Sequence, residues 1–270
     1  MIRTVKFCFT VDLDRDVNTE VPGQIEAGSV DRGQGTAPRF SSSARGLALL
    51  ADMLDDIGLP AAFFCEGRTL EETKDVSGCL AHFEIGVHGY DHESLGHMTR
   101  PDAVEAVRHG CQAVRDVLGR NPVAFRAPYM RQPRAVGDFL REVGYGIHID
   151  SSQYAYGDDC VPSILPGYAV EIPVTEGTDA EGRRISAYLW PMHEGKRRPE
   201  DYAALASSLP EDGVFVLADH TWHIVESRSS GVFSDVDLKD NLVRTETALR
   251  GILDAGHIPS TLSEISRLAR

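Results

Sequence analysis

The residues able to do chemistry fall in a few short stretches. His88-Gly-Tyr-Asp-His92 sets two imidazoles four residues apart. On a helical turn that spacing puts both on one face, where they can bind a single metal ion. The stretch is not His-Glu-x-x-His, so a zincin-type protease is disfavoured. Thr10-Val-Asp-Leu-Asp14 is an apolar run that ends in two carboxylates with one residue between them. In an extended strand residues i and i+2 share a face, so either Asp12 or Asp14 can complete a three-ligand site that leaves positions open for water and substrate. Arg126-Ala-Pro-Tyr129 offers a guanidinium that can hold a carboxylate ionised and oriented. Asp150 adds a further acid and His220 a further imidazole. His82 and His97 have no such partner pattern and are expected on the surface.

The elements around these stretches decide whether they can meet. Apolar segments at 5–11, 61–65, 84–88, 124–127, 146–149, 169–174, 185–189 and 214–218 read as strands covered on both faces. Helical patterns lie between several of them. One covers 43–57, with Leu47, Leu50, Met53, Leu54 and Ile57 inward and Gly58 after its last turn. A second carries the stripe Val104, Val107, Cys111, Val114 and Leu118, with Thr99 as its cap, Pro101 near its start and Gly119 at its end. A third covers 241–255. Repeated strand and helix at this length points to a (β/α) barrel formed by residues 1–270 as one domain. Asp12, Asp14, His88, His92, Arg126, Asp150 and His220 all follow strand candidates, and in a parallel barrel those ends form one face. Residues 16–43, rich in Gly, Asp, Ser and Pro, read as a loop beside the pocket.

Of the 270 residues, 41 are acidic and 27 basic, a formal charge of −14. That argues against nucleic acid or an anionic membrane as partner, because neutralising phosphate needs clustered Lys and Arg. No run reaches the roughly 18 apolar residues of a membrane span. The N-terminus enters a strand without a signal-peptide core, and the five cysteines form no Cys-x-x-Cys pair. Buried reduced thiols in a cytoplasmic protein are therefore expected.

Taken in order, Thr10-Val-Asp-Leu-Asp14, Ala61-Ala-Phe-Phe64, Glu84-Ile-Gly-Val-His88 with His92, Phe125-Arg-Ala-Pro-Tyr129, residues 145–152 and residues 214–220 resemble the motifs of polysaccharide deacetylases of carbohydrate esterase family 4. The resemblance implies a distorted (β/α)7 barrel and metal-dependent removal of an acyl group from nitrogen. It makes Asp12 the general base and Asp14, His88 and His92 the metal ligands. It sets Arg126 and Asp150 behind Asp12 to orient it, gives the Tyr129 backbone N–H to the oxyanion, and makes His220 the general acid. His223 is the alternative acid, and Trp222 either a sugar-stacking wall or packing.

Two departures bear on the substrate. Asp-Leu-Asp replaces the adjacent Asp-Asp of many members, a spacing of a branch that includes amide hydrolases of small or cyclic substrates. Ala218 stands where a Leu is frequent, which leaves room for an acyl methyl or a different acyl group. The expected activity is cytoplasmic removal of acetyl or formyl from an amino sugar or another small amide. A cyclic imide or ureide amidohydrolase and a catalytically silent carbohydrate-binding relative are the alternatives. Zinc suits the two-imidazole, one-carboxylate set, with cobalt, nickel or manganese able to replace it. The expected partner is a small N-acylated molecule, and homo-oligomerisation stays open.

Overall fold

Lys-Phe-Cys-Phe-Thr-Val-Asp-Leu forms strand β1 (Lys6–Leu13), buried from Phe7 onward. The computed structural model describes residues 4–15, 38–179, 181–228 and 230–269. Of the stretch expected as a loop beside the pocket, residues 16–37 lie outside the described residues. Its end is already helical. The next strands are β2 (Ala61–Cys65), β3 (Glu84–Val87), β4 (Ala124–Phe125), β5 (Ile149–Asp150), β6 (Tyr154–Tyr156), β7 (Ser163–Ile164) and β8 (Val170–Glu171). They are followed by β9 (Val174–Thr178), β10 (Arg184–Ser186), β11 (Val214–His220), β12 (Glu226–Ser227), β13 (Gly231–Val232) and β14 (Ile258–Pro259). The main sheet has the order β11-β1-β2-β3-β4-β5-β8-β7, with β14 also against β1. It is parallel apart from the β7–β8 pair.

The helices are α1 (Ser41–Ile57), α2 (Gly67–Glu72), α3 (Arg100–Leu118), α4 (Val136–Val143), α5 (Trp190–His193), α6 (Pro199–Ser207), α7 (Asp235–Asp254) and α8 (Leu262–Ser266). Local chemistry sets their ends. Gly58 takes a left-handed conformation after α1, and its N–H returns to the carbonyls of Asp55 and Leu54. The Thr99 hydroxyl accepts the Asp102 N–H at the start of α3, and Gly119 closes that helix. Helix α7 begins six residues before the 241 expected from its apolar stripe. Ser234 caps it, and its first turn is too polar to show that stripe. Among the described residues no helix is long and apolar enough to cross a membrane.

The expected α/β architecture, a distorted (β/α)7 barrel, is the one observed, and its distortion has a local cause. Segment 146–149 is mostly irregular, because Tyr145 and Gly146 both have positive φ, and the strand begins only at Ile149. Segment 169–174 is not one strand but is interrupted between β8 and β9. Segment 185–189 does not join the barrel as a strand. Its first half, β10, pairs antiparallel with β9 in a separate sheet with β6. Its second half fills the gap beside β11 irregularly. Ala218 N–H donates to Ala187 O at 2.7 Å, Leu189 N–H to Ala218 O at 2.9 Å, and Ala187 N–H to Thr175 O at 2.7 Å.

Candidate active site

Strand register brings the chemical residues together. Asp12 is the register partner of Phe64 on β2 and of His220 on β11. Val87 pairs with Phe125, and Phe125 with Asp150, so His88, Arg126 and Asp150 come to the same end of the sheet. The one-residue alternation along β1 sends Thr10, Asp12 and Asp14 to one side. Stretch 88–92 is not helical, contrary to the geometry expected from its spacing. Gly89 and His92 have positive φ, and this turn points both imidazoles to one place. The strained His92 backbone is of the kind that surrounding contacts must hold.

Asp14, His88 and His92 are all buried, and one donor atom from each lies within 4.8 Å of the other two. His88 Nδ1 donates to the Arg126 carbonyl at 2.8 Å, which fixes its tautomer and leaves the Nε2 lone pair for the site. His92 Nδ1 is hydrogen-bonded to the Tyr129 hydroxyl at 2.8 Å, and its Nε2 lies 3.6 Å from Asp14 Oδ2. Burial holds both imidazoles below their ordinary pKa, His92 the more because His88 and Arg15 are beside it. They are neutral donors. Asp14 Oδ1 is buried without a hydrogen-bond partner. Burial, with the charges of Asp12 and Glu66 nearby, raises the Asp14 carboxyl well above the usual range. An orphaned carboxylate oxygen beside two neutral, oriented imidazoles is a donor set that a divalent cation satisfies.

Asp12 is held differently. Its Oδ1 accepts from Arg126 Nη1 at 2.8 Å and its Oδ2 from the Tyr188 hydroxyl at 2.7 Å. Burial opposes its ionisation, yet Arg126, His88, His220 and the Tyr188 hydroxyl together keep it below the ordinary carboxylate range. Arg126 is fully buried, and three further N–H groups donate to Thr10 Oγ1, Ser151 O and Ser151 Oγ at 2.9–3.0 Å. Its guanidinium lies 4.2 Å from the Phe64 ring centroid.

Asp150, expected with Arg126 behind Asp12, is hydrogen-bonded by Ser152. The same Ser152 hydroxyl accepts the Ala127 N–H at 2.8 Å, so Asp150 steers the backbone of the 126–129 turn. Its register partner Glu171 faces it, and burial raises both carboxyls, Asp150 to about 6 and Glu171 further. Two buried carboxyls side by side retain a proton between them.

His220 Nε2 lies 3.9 Å from Asp12 Oδ2, and burial lowers its pKa to about 4. His223 stacks on Trp222 at 3.5 Å, and its Nε2 lies 3.6 Å from Glu194 Oε1. Behind them, His193 Nε2 donates to Asp219 at 2.9 Å, and its Nδ1 faces Asn241 Oδ1 at 2.8 Å. The Asn241 amide nitrogen is used by the carbonyls of His223 and Ile224. Both His193 nitrogens therefore face acceptors and both must carry hydrogen, which makes the ring an imidazolium. Its pKa is raised, since Asp219 outweighs the opposing effect of burial.

A cavity of about 210 Å³ joins these groups. Asp12, Asp14, His88, His92, His220 and His223 line its floor and one side. Tyr154, Tyr188, Trp190 and Trp222 form its aromatic walls, beside Tyr129, Met130 and Arg228. Trp222 is thus both a wall and, at 4% exposure, part of the packing. Tyr129 lines the cavity in a left-handed backbone conformation, and its side chain anchors His92, which its expected role did not include. Ala218 is fully buried and does not line the cavity. His82 and His97 are on the surface as expected. The cysteines are unpaired, and burial keeps the Cys8, Cys65 and Cys111 thiols protonated.

Residues 42–148 match the family model described as polysaccharide deacetylase. A peptidoglycan deacetylase of Helicobacter pylori (strain ATCC 700392 / 26695) is 24% identical over 102 residues, 37% of this chain and 35% of that protein. The matched stretch thus spans about a third of the length of that curated relative. In three dimensions the chain is similar to a structure from Mycobacterium smegmatis classed with the polysaccharide deacetylases. That match has a TM-score of 0.67 and 22% identity, and covers 99% of this chain and 90% of the other. It is also similar to the structure of an allantoinase, with a TM-score of 0.65 and 13% identity over 97% and 89% of the two chains. At these identities the structural likenesses establish the fold. The match over residues 42–148 holds His88, His92, Arg126 and Tyr129, and the fold brings Asp12, Asp14 and His220 to the same cavity as the two histidines: this part of the chain is similar to the polysaccharide deacetylases.

Proposed function

We propose that the protein is a metal-dependent amide hydrolase that removes an acetyl or formyl group from the nitrogen of an amino sugar or another small amide. The observation that carries this reading is the oriented set Asp14, His88 and His92, with ionised Asp12 and His220 on the same cavity. Asp14, His88 and His92 would hold a divalent cation, which when bound would supply Lewis acidity for the amide carbonyl and for the attacking water. Zinc suits two imidazoles and a carboxylate, and cobalt, nickel or manganese fit the same donors.

The chain's own groups handle the protons. Asp12, kept ionised by Arg126 and Tyr188, accepts the proton of the attacking water. His220, neutral at rest and 3.9 Å from Asp12 Oδ2, takes over the proton that Asp12 removed from the water and delivers it to the departing amine nitrogen, which returns both groups to their starting states. The Tyr129 backbone N–H adds a fixed donor for the developing oxyanion. A cavity of about 210 Å³ supports a small substrate or a single terminal unit over a long polymer segment. The aromatic walls also favour a second reading, ring-opening of a cyclic imide or ureide, and the allantoinase shares this fold. A soluble substrate inside the cell fits either reading.

The test is primary-amine release from N-acetyl and N-formyl amino sugars, nucleotide sugars and small imides, after chelator treatment and after return of Zn²⁺ or Co²⁺. Metal-dependent amine release supports the deacylase. Loss of an imide alone transfers the assignment to ring-opening. Silence throughout, with glycan binding retained, leaves a catalytically silent relative.

A further inference from the structure

Directly beneath the cation ligands lies a buried ion pair that none of the proposed chemistry uses. Arg15, adjacent to Asp14, is 2% exposed, and Glu66 is completely buried. Arg15 Nε donates to Glu66 Oε1 at 2.8 Å, its backbone N–H donates to Glu66 Oε2 at 3.0 Å, and its Nη2 bridges Glu66 and Asp91. Thr69 Oγ1 donates to the same Glu66 carboxylate at 2.6 Å. Asp91 is the residue just before the ligand His92.

The backbone repeats this connection. Glu66 N–H donates to Leu13 O at 2.9 Å, while Gly67 N–H donates to Gly89 O at 3.1 Å and Arg68 N–H to Tyr90 O at 2.8 Å. His88 N–H in turn donates to Cys65 O at 2.8 Å. Residues 65–68 therefore hold both the β1 end that carries Asp14 and the turn that carries His88 and His92. A buried ion pair is weak evidence for stability, since apolar residues of similar volume serve at least as well. A fork that reaches two carboxylates on two ligand-bearing segments has a geometric use instead.

We propose that Arg15 and Glu66 are positioning residues of the cation site, locking Asp14 into register with His88 and His92 through Asp91. This rests on reading those three residues as cation ligands. Lysine at position 15 keeps a charge for Glu66 but has no fork to reach Asp91 as well. The test is the affinity of the apo-protein for Zn²⁺, measured by competition with a chromophoric chelator, and the visible spectrum of the Co²⁺ form, which reads ligand geometry.

Arg15→Lys is expected to bind Zn²⁺ about 10- to 100-fold more weakly, the usual cost of losing an outer partner of a metal ligand. It should also alter the Co²⁺ spectrum while keeping its thermal midpoint near that of the unaltered protein. Asp91→Asn, whose side chain is 38% exposed and whose folding is therefore not at risk, is expected to weaken binding in the same direction. Folded variants that bind Zn²⁺ within twofold of the unaltered protein and leave the Co²⁺ spectrum unchanged overturn the proposal. If the unaltered protein itself binds no cation, the reading of Asp14, His88 and His92 fails instead, which is a separate result.

Discussion

Asp219→Asn is expected to destabilise the protein by about 3–5 kcal/mol near neutral pH, the cost of removing one partner from a buried charge pair. Asp219 and the His193 side chain are completely buried. The carboxylate accepts from His193 Nε2 at 2.9 Å and from the His220 backbone N–H at 2.8 Å. Asparagine keeps the shape but removes the charge that balances the imidazolium. His193 must then lose a proton, and one of its nitrogens is left facing an acceptor. For a chain of this size each kcal/mol moves the thermal midpoint by about 2–4 °C, so the expected fall is about 6–20 °C.

The pH dependence has a definite sign. The folded-state pKa of His193 is raised above its ordinary 6.5, so the pair's stabilisation is complete below that value and is lost as pH rises through the folded pKa. Urea unfolding of both proteins from pH 6 to pH 10, with nitrogen NMR of the His193 ring, measures each part. The gap between the two proteins should be largest at the acid end and narrow as His193 deprotonates. A gap under about 1 kcal/mol at pH 6, one that widens with pH, or a neutral His193 ring at pH 7 would refute the reasoning.

Other expectations are more direct. Asp12→Asn should lower kcat by about 100- to 10,000-fold, the range for a lost general base, while Zn²⁺ affinity stays unchanged; retained turnover removes Asp12 from its role. His220→Gln should cost far more in kcat than His223→Gln, because only His220 is in register with Asp12; the reverse order in steady-state kinetics would make His223 the acid. Gly67→Ala should destabilise by about 1–3 kcal/mol through overpacking. A methyl there would meet Tyr90 Cδ2 at 2.7 Å and Gly110 Cα at 2.9 Å, and urea unfolding would detect the loss.

The sequence by itself determined the parallel core strands and the main helices. Continuous apolar runs such as Phe7 to Val11 need cover on both faces, and Thr99, Gly58 and Gly119 act on their own neighbours. It also determined which residue types stand at the strand ends, so Asp12, Asp14, His88, His92, Arg126 and His220 were legible before any coordinates. Tertiary structure decided what local pattern does not encode. The 88–92 turn takes its shape from positive φ at Gly89 and His92, where spacing alone suggested a helix. Asp150 meets Ser152 and faces Glu171 because of the register between β4, β5 and β8. Tyr188, Glu66 and Arg15 carry no motif. Their partners lie 176 residues away for Tyr188 and Asp12, and 51 away for Arg15 and Glu66. Hydrogen bonds of that separation are chosen by strand register and by the curling of the sheet, which no local stretch of sequence specifies.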